Sequence, residues 1–351
     1  MGTYKILVIG PAWVGDMVMA QSLFMALQQR HEAADITVMA PAWTRPLLER
    51  MPEVAQSIAL DFSHGELNLR KRRQFGKGLR EQGFQQAIVL PNSFKSALIP
   101  FHAGIPKRSG WVGEFRWPLL NDARRLDKDV FARMVERFVA LAYPASPKPP
   151  AACPNPRLLV NEKSQAEALD RFHLNGEGPV LGICPGAEFG PAKQWPAEHY
   201  AEFANNLLSE GWRVWFFGSI SDQLVTESIM ADIEPAHFDR CANLVGKTTL
   251  GQAIDLLACS RIVASNDSGL MHVAAALGKP IVAMYGSTSP DFTPPLADRV
   301  KLLSTDIECR PCFKRECPYG HLRCLNELNP ALAIDAAAEL IETIPQTNSQ
   351  D

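Results

Sequence analysis

Two stretches of this sequence combine small, polar and cationic residues in a way that could hold an anion. Residues 184–196 read CPGAEFGPAKQWP, where Gly186 and Gly190 let the backbone approach a ligand and Lys193 precedes a proline suited to a first helical turn. Residues 264–269 read ASNDSG and lead into another helix. Because a helix N-terminus presents unpaired N–H groups and the positive end of a dipole, we expect these stretches to bind a diphosphate.

The second stretch continues into a helical pattern, LMHVAAALG, at residues 270–278. Helical spacing puts Leu270 on an apolar face and His272 roughly opposite it, so we expect His272 to project out of the core. A histidine there is either a ligand contact or an ordinary satisfied side chain. The candidate anion-binding residues of this stretch are Asp267, Ser268, Gly269, Leu270 and His272.

A third strand end, FGSISDQ at residues 217–223, offers Ser219 and Asp222. Acidic residues at such positions bind ribose hydroxyls in nucleotide-binding folds. Asp222 could equally cap the helix that follows. This stretch therefore adds to a predicted nucleotide site, with two interpretations of Asp222 open.

Near the start of the chain, ILVIGPAWVGDMVMAQSL places Asp16 at a strand-to-helix junction, where a carboxylate would repel a phosphate. We therefore expect the diphosphate to bind elsewhere and Asp16 to face a second reactant. An ordinary aspartate, with a pKa of about 3.9, is ionised at neutral pH and can act as a general base toward a hydroxyl. The alternative is that Asp16 only caps the helix.

Basic and polar residues of the first half could hold the phosphates or carboxylates of an acceptor by charge-assisted hydrogen bonds. A basic run of this kind can also be an ordinary solvated face. The candidates are Arg70, Lys71, Arg72 and Arg73 in LNLRKRRQFGKGLREQG, Asn92, Ser93 and Lys95 in LPNSFKSAL, and Arg116 in SGWVGEFR.

The eight cysteines fall into two groups. Four are scattered singly and are most simply core thiols in a reducing compartment. The others, in CRPCFKRECPYGHLRC, have C-x2-C-x4-C-x6-C spacing, which offers four thiolates to a structural zinc ion although its second half is not the usual C-x2-C. Free or redox-sensitive thiols are the alternative for Cys309, Cys312, Cys317 and Cys324.

Alternating strand-like and helical runs predict an α/β fold with parallel sheets and crossover helices. Strand candidates are KILVIG, DITVMA and QQAIVLP, then PVLGICPG, WRVWFFGS, LVGKTTL, RIVASNDSG and PIVAMYGST, and one helix is expected at about 16–29. Residues 143–157 contain six prolines and predict a stiff connector. We expect an N-terminal lobe at 1–150, a C-terminal lobe at 151–330 and a closing helix at 331–345.

Composition favours a globular protein, with 46% hydrophobic and 21% charged residues. No apolar run reaches about 18 residues and no signal peptide is apparent, so we expect a cytoplasmic location. Residues 1–150 carry 20 basic and 13 acidic side chains, whereas residues 151–351 carry 15 and 25. The basic first half suggests an anionic partner, such as nucleic acid, a phosphorylated lipid or a membrane surface.

Six strings in order across the chain identify a family by resemblance. GPAWVGDMVMAQSL, MAPAWTRPLLERMPEV, LPNSFKSAL, PGAEFGPAKQWP, NDSGLMHVAAALGKP and GSTSPDFTPPL together resemble the ADP-heptose glycosyltransferases of family 9. The resemblance implies a GT-B fold, in which two Rossmann-like doubly wound lobes face each other across a cleft. It also implies transfer of L-glycero-D-manno-heptose from ADP-heptose to the first heptose of Kdo2-lipid A. The resemblance implies that this transfer inverts the anomeric carbon and uses no catalytic metal. It further implies a cytoplasmic protein that contacts the inner membrane peripherally.

The resemblance further implies roles for the candidate residues. Asp16 matches the family's proposed catalytic base, Lys193 the lysine at the sugar diphosphate, and residues 267–272 the phosphate loop of the donor lobe. Asp222 falls near an acid that contacts the ribose, and Gly186 and Ser219 are also assigned to the donor. The basic run at 70–73 lies where members of the family meet the acceptor.

Three other functions compete with this interpretation. A nucleotide-sugar epimerase, or another glycosyltransferase of the same fold, would use the same donor lobe. A nucleic-acid-binding protein would use the basic half and a zinc knot, but it leaves Asp16 unexplained. An NAD dehydrogenase is disfavoured because GPAWVG lacks the G-x-G-x-x-G spacing. We expect no nucleic-acid partner.

Overall fold

The computed structural model describes residues 3–62 and 66–343. Within it the chain forms two compact units, Met1–Leu159 and Val160–Asp351. Among the described residues no helix has the length and apolar character needed to cross a bilayer.

The first unit contains a six-stranded sheet in which every neighbouring pair of strands is parallel. Its strand order, β3-β2-β1-β4-β5-β6, is that of a doubly wound dinucleotide-binding fold. The strands are β1 Tyr4–Ile9, β2 Ala34–Pro41, β3 Val54–Leu60, β4 Gln86–Val89, β5 Lys107–Trp111 and β6 Asp122–Arg124, and the helices are α1 Val14–Arg30, α2 Arg45–Leu48, α3 Leu69–Gly78, α4 Phe94–His102 and α5 Met134–Val139.

The second unit repeats this topology. Its parallel order β9-β8-β7-β10-β11-β12 is again 3-2-1-4-5-6 when the strands are counted within the unit. The strands are β7 Val180–Cys184, β8 Arg213–Phe216, β9 Cys241–Asn243, β10 Ile262–Asn266, β11 Ile281–Met284 and β12 Val300–Leu303, and the helices are α6 Glu162–Arg171, α7 Ala197–Ser209, α8 Gln223–Ala231, α9 Leu250–Leu257, α10 Gly269–Ala276, α11 Arg323–Asn326 and α12 Pro330–Glu342.

The central strands of both sheets are buried on both faces, as parallel sheets require. All five residues of β7 and of β10 are buried, and so are all four of β4 and of β11. Helix α12 supplies Ala333, Ala337 and Leu340 to the core of the second unit, where the sequence predicts a closing helix; residues 344 and 345 of that expectation lie outside the described residues. The predicted α/β class is therefore confirmed.

The proline-rich segment packs on the first unit. Gln21 on α1 donates from Nε2 to the Arg157 carbonyl at 2.7 Å and accepts the Arg157 N–H at 3.0 Å, and Ser22 donates to the Pro154 carbonyl at 2.6 Å. These bonds satisfy polar groups of a chain that cannot join a sheet. The division between the units accordingly falls after Leu159 rather than after residue 150.

One local expectation was wrong. The string LVGKTTL, residues 244–250, is not a strand: β9 ends at Asn243, Gly246 has a φ of +69°, and Thr249 begins α9 through a capping box with Gln252. The helix expected at about 16–29 is present as α1, Val14–Arg30, with Trp13 as its N-cap. Strands β3, β5, β6 and β12 were not predicted from the sequence, because they are polar, short or at a sheet edge.

Candidate active site

The strand order of the second unit reverses direction between β7 and β10, which lie side by side. In such sheets a crevice opens beyond the carboxyl ends of these two strands and receives the ligand. The loop after β7 carries Gly186 and Lys193, and the loop after β10 carries Asp267 and Ser268. The topology therefore brings the two predicted anion-binding stretches to one place.

An ion pair joins these two loops. Lys193 Nζ lies 2.6 Å from Asp267 Oδ2 and also donates to the Asp267 carbonyl at 3.3 Å. Asp267 is 4% exposed, and its Oδ2 accepts a further hydrogen bond from Thr288 Oγ1 at 2.6 Å. The carboxylate is therefore buried with a cationic partner and a second hydrogen-bond donor. The sequence patterns indicate Lys193 and Asp267 but not Thr288, whose only signal is a small polar loop, GSTS, after β11.

The first turn of α10 is open at the same point. Ser268 is the N-cap, yet its side chain makes no capping hydrogen bond; its Oγ lies 3.1 Å from Ser265 Oγ instead. The first N–H groups of a helix have no acceptor within the helix, so those at Gly269 and Leu270 are available to an anion. Gly269 and Leu270 are half-buried.

Asn266 holds the two loops together rather than contacting a ligand. Its Nδ2 donates to the Pro185 carbonyl at 2.7 Å, and its Oδ1 accepts the Trp195 N–H at 3.1 Å and the Tyr200 hydroxyl at 3.0 Å. All three partners are on the loop after β7 or on α7, so one buried side chain fixes the position from which Lys193 reaches Asp267.

His272 does not project out of the core, contrary to the sequence expectation. It is 4% exposed because Met271–Ala276 of α10 are all buried and the helix has no solvated face there. Burial lowers the pKa of His272 to about 4; nearby Asp267 opposes this shift and Lys193 adds to it. His272 is therefore neutral at pH 7 and lies close to the ion pair.

The Asp222 carboxylate lies against the backbone of Gly186. A Cβ at Gly186 would stand 2.5 Å from Asp222 Oδ1 and Oδ2, so a larger residue there would displace the acid. The same carboxylate accepts from the Ser219 backbone N–H at 2.8 Å and from Ser219 Oγ at 2.9 Å. Asp222 precedes α8, but its side chain makes no capping hydrogen bond to that helix; with Ser219 it closes a capping box on the short turn at 220–222 instead. The expected cap on the following helix is therefore not what this side chain forms.

Gly190 approaches another part of the chain, not an open ligand space. Its φ is +147°, and a Cβ there would meet the Arg315 carbonyl at 2.5 Å. The Ala192 N–H donates to the same carbonyl at 3.1 Å. The segment that contains Arg315 therefore fixes the loop that carries Lys193.

Asp16 occupies the corresponding position of the first unit. The crevice of this sheet opens between β1 and β4, and Asp16 is in the first turn of α1, directly after β1. It is half-buried and lies two residues inside the helix, because Trp13 is the N-cap.

The candidate acceptor residues lie on neighbouring segments of the first unit. Helix α3 packs against α4, and Phe94 at the start of α4 donates its N–H to Glu114 Oε2 at 2.9 Å. Arg70, Lys71 and Arg73 are exposed on α3, although Lys71 donates to the Asp61 carbonyl at 2.6 Å. The other members of this group are Asn92, exposed, and Ser93 and Lys95, half-buried.

Arg72 and Arg116 have structural roles instead. Arg116 is fully buried, and its guanidinium donates to the carbonyls of Trp111 and Pro91 and to Asn92 Oδ1. Arg72 is 5% exposed and donates to the carbonyls of Leu67 and Glu66. The guanidinium N–H groups of both residues are occupied by hydrogen bonds within the protein. We therefore no longer expect Arg72 and Arg116 to contact the acceptor.

Comparison with known proteins decides the family. A family model described as glycosyltransferase family 9 (heptosyltransferase) matches residues 72–323. The chain belongs to glycosyltransferase family 9. It is 47% identical to lipopolysaccharide heptosyltransferase 2 of Escherichia coli K12, over 96% of this chain and 98% of that protein. It is 46% identical to lipooligosaccharide heptosyltransferase 2 of Haemophilus influenzae, over 96% and 99%.

A solved structure, that of E. coli ADP-heptose lps heptosyltransferase II, superimposes on this family 9 chain with a TM-score of 0.86. The two are 47% identical, over 96% of this chain and 98% of that one. The predicted GT-B fold is thereby confirmed. The chain is a glycosyltransferase, and the residues that match the family model include the donor-side loops and the basic run from Arg72 onward.

The clustered cysteines of this family 9 chain line one small cavity near the site. Cys309, Cys312, Cys317 and Cys324 are all free thiols and surround a space of about 10 Å³. Among the described residues, no three His, Cys, Asp or Glu side chains are already arranged to hold a metal ion.

Proposed function

We propose that this protein transfers L-glycero-D-manno-heptose from ADP-heptose to the first heptose of heptosyl-Kdo2-lipid A, with inversion at the anomeric carbon, in lipopolysaccharide core biosynthesis. The observation that carries the proposal is the Lys193–Asp267 ion pair beside the open N-terminus of α10, at the switch point of a doubly wound sheet. Identity of 46–47% to heptosyltransferases 2 along nearly the whole chain supports the choice of sugar and acceptor.

The donor diphosphate binds at the second unit in this proposal. Lys193 and the N–H groups at Ser268, Gly269 and Leu270 meet the phosphates. Asp267 repels them little, because Lys193 balances its charge and Thr288 donates a hydrogen bond to it. When ADP leaves, negative charge grows on the diphosphate, and donors fixed in advance stabilise that charge most. Lys193 therefore acts in catalysis, and the transfer step needs no metal ion or other cofactor.

Asp16 acts as the general base. Its carboxylate takes the proton of the acceptor hydroxyl as that oxygen attacks the anomeric carbon, opposite the departing ADP. Asp16 stands in the first turn of α1, at the positive end of the helix dipole. Inversion follows from a single in-line displacement.

The anionic acceptor binds at the first unit, through Arg70, Arg73 and Lys95 with Asn92 and Ser93. The first unit also exposes large apolar side chains, Phe115 at 86% and Trp117 at 60%. Glu114, the chain neighbour of Phe115, accepts the N–H of Phe94, the chain neighbour of Lys95. We propose that cations and aromatic rings together contact the anionic cytoplasmic face of the inner membrane.

One assay tests the proposal. The purified protein is incubated with a heptose-terminated acceptor and ADP-heptose, UDP-sugars or GDP-sugars in parallel, and both acceptor and donor are analysed by mass spectrometry and NMR. We expect an acceptor heavier by one heptose from ADP-heptose alone, with inverted anomeric configuration. An isomerised donor without transfer would instead identify an epimerase, and preference for a UDP- or GDP-sugar would refute the donor assignment.

A further inference from the structure

Residues 304–322, between β12 and α11, form neither helix nor strand. Structureless segments longer than about 12–15 residues are uncommon inside compact domains unless something specific orders them. Hydrogen bonds fix this segment near its start and near its middle. Thr305 Oγ1 donates to the Cys324 carbonyl at 3.0 Å, and the Phe313 N–H donates to the Ser287 carbonyl at 2.7 Å. We call it the cysteine segment.

The cysteine segment and α11 place four thiols around one cavity. Cys309, Cys312, Cys317 and Cys324 all line it, and none of them forms a disulfide. Ser287 also lines this cavity; it is 1% exposed, and its Oγ has no hydrogen-bond partner among the described residues. Buried polar atoms without a hydrogen-bond partner are few in native proteins. The Ser287 hydroxyl therefore points to a non-protein group, such as an ion, in this cavity.

Cys317 lies in a tight turn of the cysteine segment beside His321. Its Sγ is 3.9 Å from His321 Nδ1, and both residues line the cavity. Positive φ angles at Gly320 (+71°) and Leu322 (+47°) and a hydrogen bond from the Gly320 N–H to the Cys317 carbonyl at 3.1 Å shape this turn. The turn therefore holds the Cys317 side chain at the cavity.

We propose that Cys309, Cys312, Cys317 and Cys324 bind one divalent metal ion as a tetrathiolate site, occupied by Zn²⁺ or Fe²⁺. Four sulfur ligands select these ions over Mg²⁺ or Ca²⁺, which prefer oxygen. Among the described residues no three such side chains are already arranged to hold a metal ion, so binding would bring the four sulfur atoms closer together and release the thiol protons.

The metal ion would act on the donor site through the backbone of the cysteine segment. The Arg315 carbonyl accepts the Ala192 N–H, next to Lys193. Arg310 donates to the carbonyls of Gly286 at 3.0 Å and Thr288 at 3.2 Å. Lys193 and Thr288 are the two donors to Asp267, so one tetrathiolate clamp would fix both. The role is structural, and no step of transfer passes through the metal.

Metal analysis of the full-length protein tests this inference independently of transferase activity. Untagged protein is expressed in medium supplemented with zinc or with iron and purified without chelator. We expect about one equivalent of metal per chain; elemental analysis and visible absorbance separate zinc from iron, and either one supports the site. Replacement by Co²⁺ should give thiolate-to-cobalt charge-transfer bands. Cys312→Ser and Cys317→Ser should each lose most of the metal.

Cys153→Ser, at a thiol outside the segment, is the matched control and should keep the full metal content. Loss of metal should raise the KM for the sugar donor several-fold and leave the secondary structure intact. Wild-type protein without metal after both growth conditions, or a Co²⁺ spectrum without thiolate bands, would overturn the inference even where the variants fail to fold. The proposed function would survive that result, because it does not require the metal.

Discussion

Lys193 Nζ and Asp267 Oδ2 lie 2.6 Å apart at the switch point of the second sheet. Each residue comes from a different strand end, and both side chains are largely buried. The pair explains how an acidic residue can belong to a diphosphate site. The charge of Asp267 is already balanced by Lys193. The incoming phosphates therefore meet the helix N-terminus and the lysine rather than an unpaired carboxylate.

Lys193→Met should lower transfer by about 100-fold to 1000-fold, because a fixed donor to the leaving diphosphate is lost. It should also destabilise the second unit by about 3 kcal/mol, since Asp267 is left buried and unbalanced. The measurements are steady-state kinetics, ADP titration calorimetry and urea unfolding. Adding Asp267→Asn should restore stability but not turnover, and Lys163→Met, at an exposed lysine, is the control. Full turnover in Lys193→Met would remove Lys193 from the mechanism.

Asp16→Asn should abolish most turnover while leaving the Kd for ADP unchanged. In the proposed mechanism Asp16 belongs to the first unit, whereas ADP binds to the second. Transfer assays and calorimetry on the same preparation give the two numbers. Asp129→Asn, at an exposed aspartate of the same unit, should match the wild type in both. A parallel loss of ADP affinity in Asp16→Asn would contradict the division of roles.

Gly186→Ala should raise the KM for the donor by about tenfold and cost about 1–3 kcal/mol, because the new Cβ overlaps the Asp222 carboxylate. The cost should shrink when Asp222 is also replaced by Ala, since the clash disappears. Gly78→Ala, where a Cβ meets nothing within 4 Å, should leave stability unchanged or improved. Equal costs of Gly186→Ala with and without Asp222 would mean that the two residues are uncoupled.

Stability of the second unit should fall as the pH drops from about 6.5 toward 4. Burial lowers the pKa of His272 to about 4, whereas an unfolded histidine titrates near 6.5. In that window the unfolded chain binds a proton that the folded chain does not, which favours unfolding by about 2 kcal/mol at pH 5 relative to pH 7. His272→Gln should flatten this part of the profile. His173→Asn, at an exposed histidine, should reproduce the wild-type slope.

Arg116→Ala should destabilise the first unit by about 2–5 kcal/mol, because several buried carbonyls lose their donor. The combined change of Arg70, Arg73 and Lys95 to Ala should instead leave stability within about 0.5 kcal/mol and raise the KM for the acceptor. Thermal unfolding and acceptor titration separate the two effects. Normal acceptor kinetics in the triple variant would exclude these residues from the acceptor site.

Much of the fold was predictable because it follows from local patterns. Apolar runs followed by helical spacing located β1, β2, β4, β7, β8, β10 and β11. The loops after those strands identified Asp16, Lys193 and Asp267 as candidates, since ligands bind at the carboxyl ends of parallel strands. Edge strands such as β6, with the sequence DAR, have no apolar pattern. They are recognisable as strands only from their backbone pairing with the neighbouring strand.

The sequence by itself determined the repeated α/β pattern, the loops that could bind a diphosphate and the family, because these depend on residues near one another in the chain. Only the tertiary structure decided which candidates share a site and which are scaffold. Contacts between Lys193 and Asp267, Gly186 and Asp222, or Arg116 and Pro91 join residues far apart in sequence. The burial of His272 likewise depends on what packs around α10 and not on its own helical spacing.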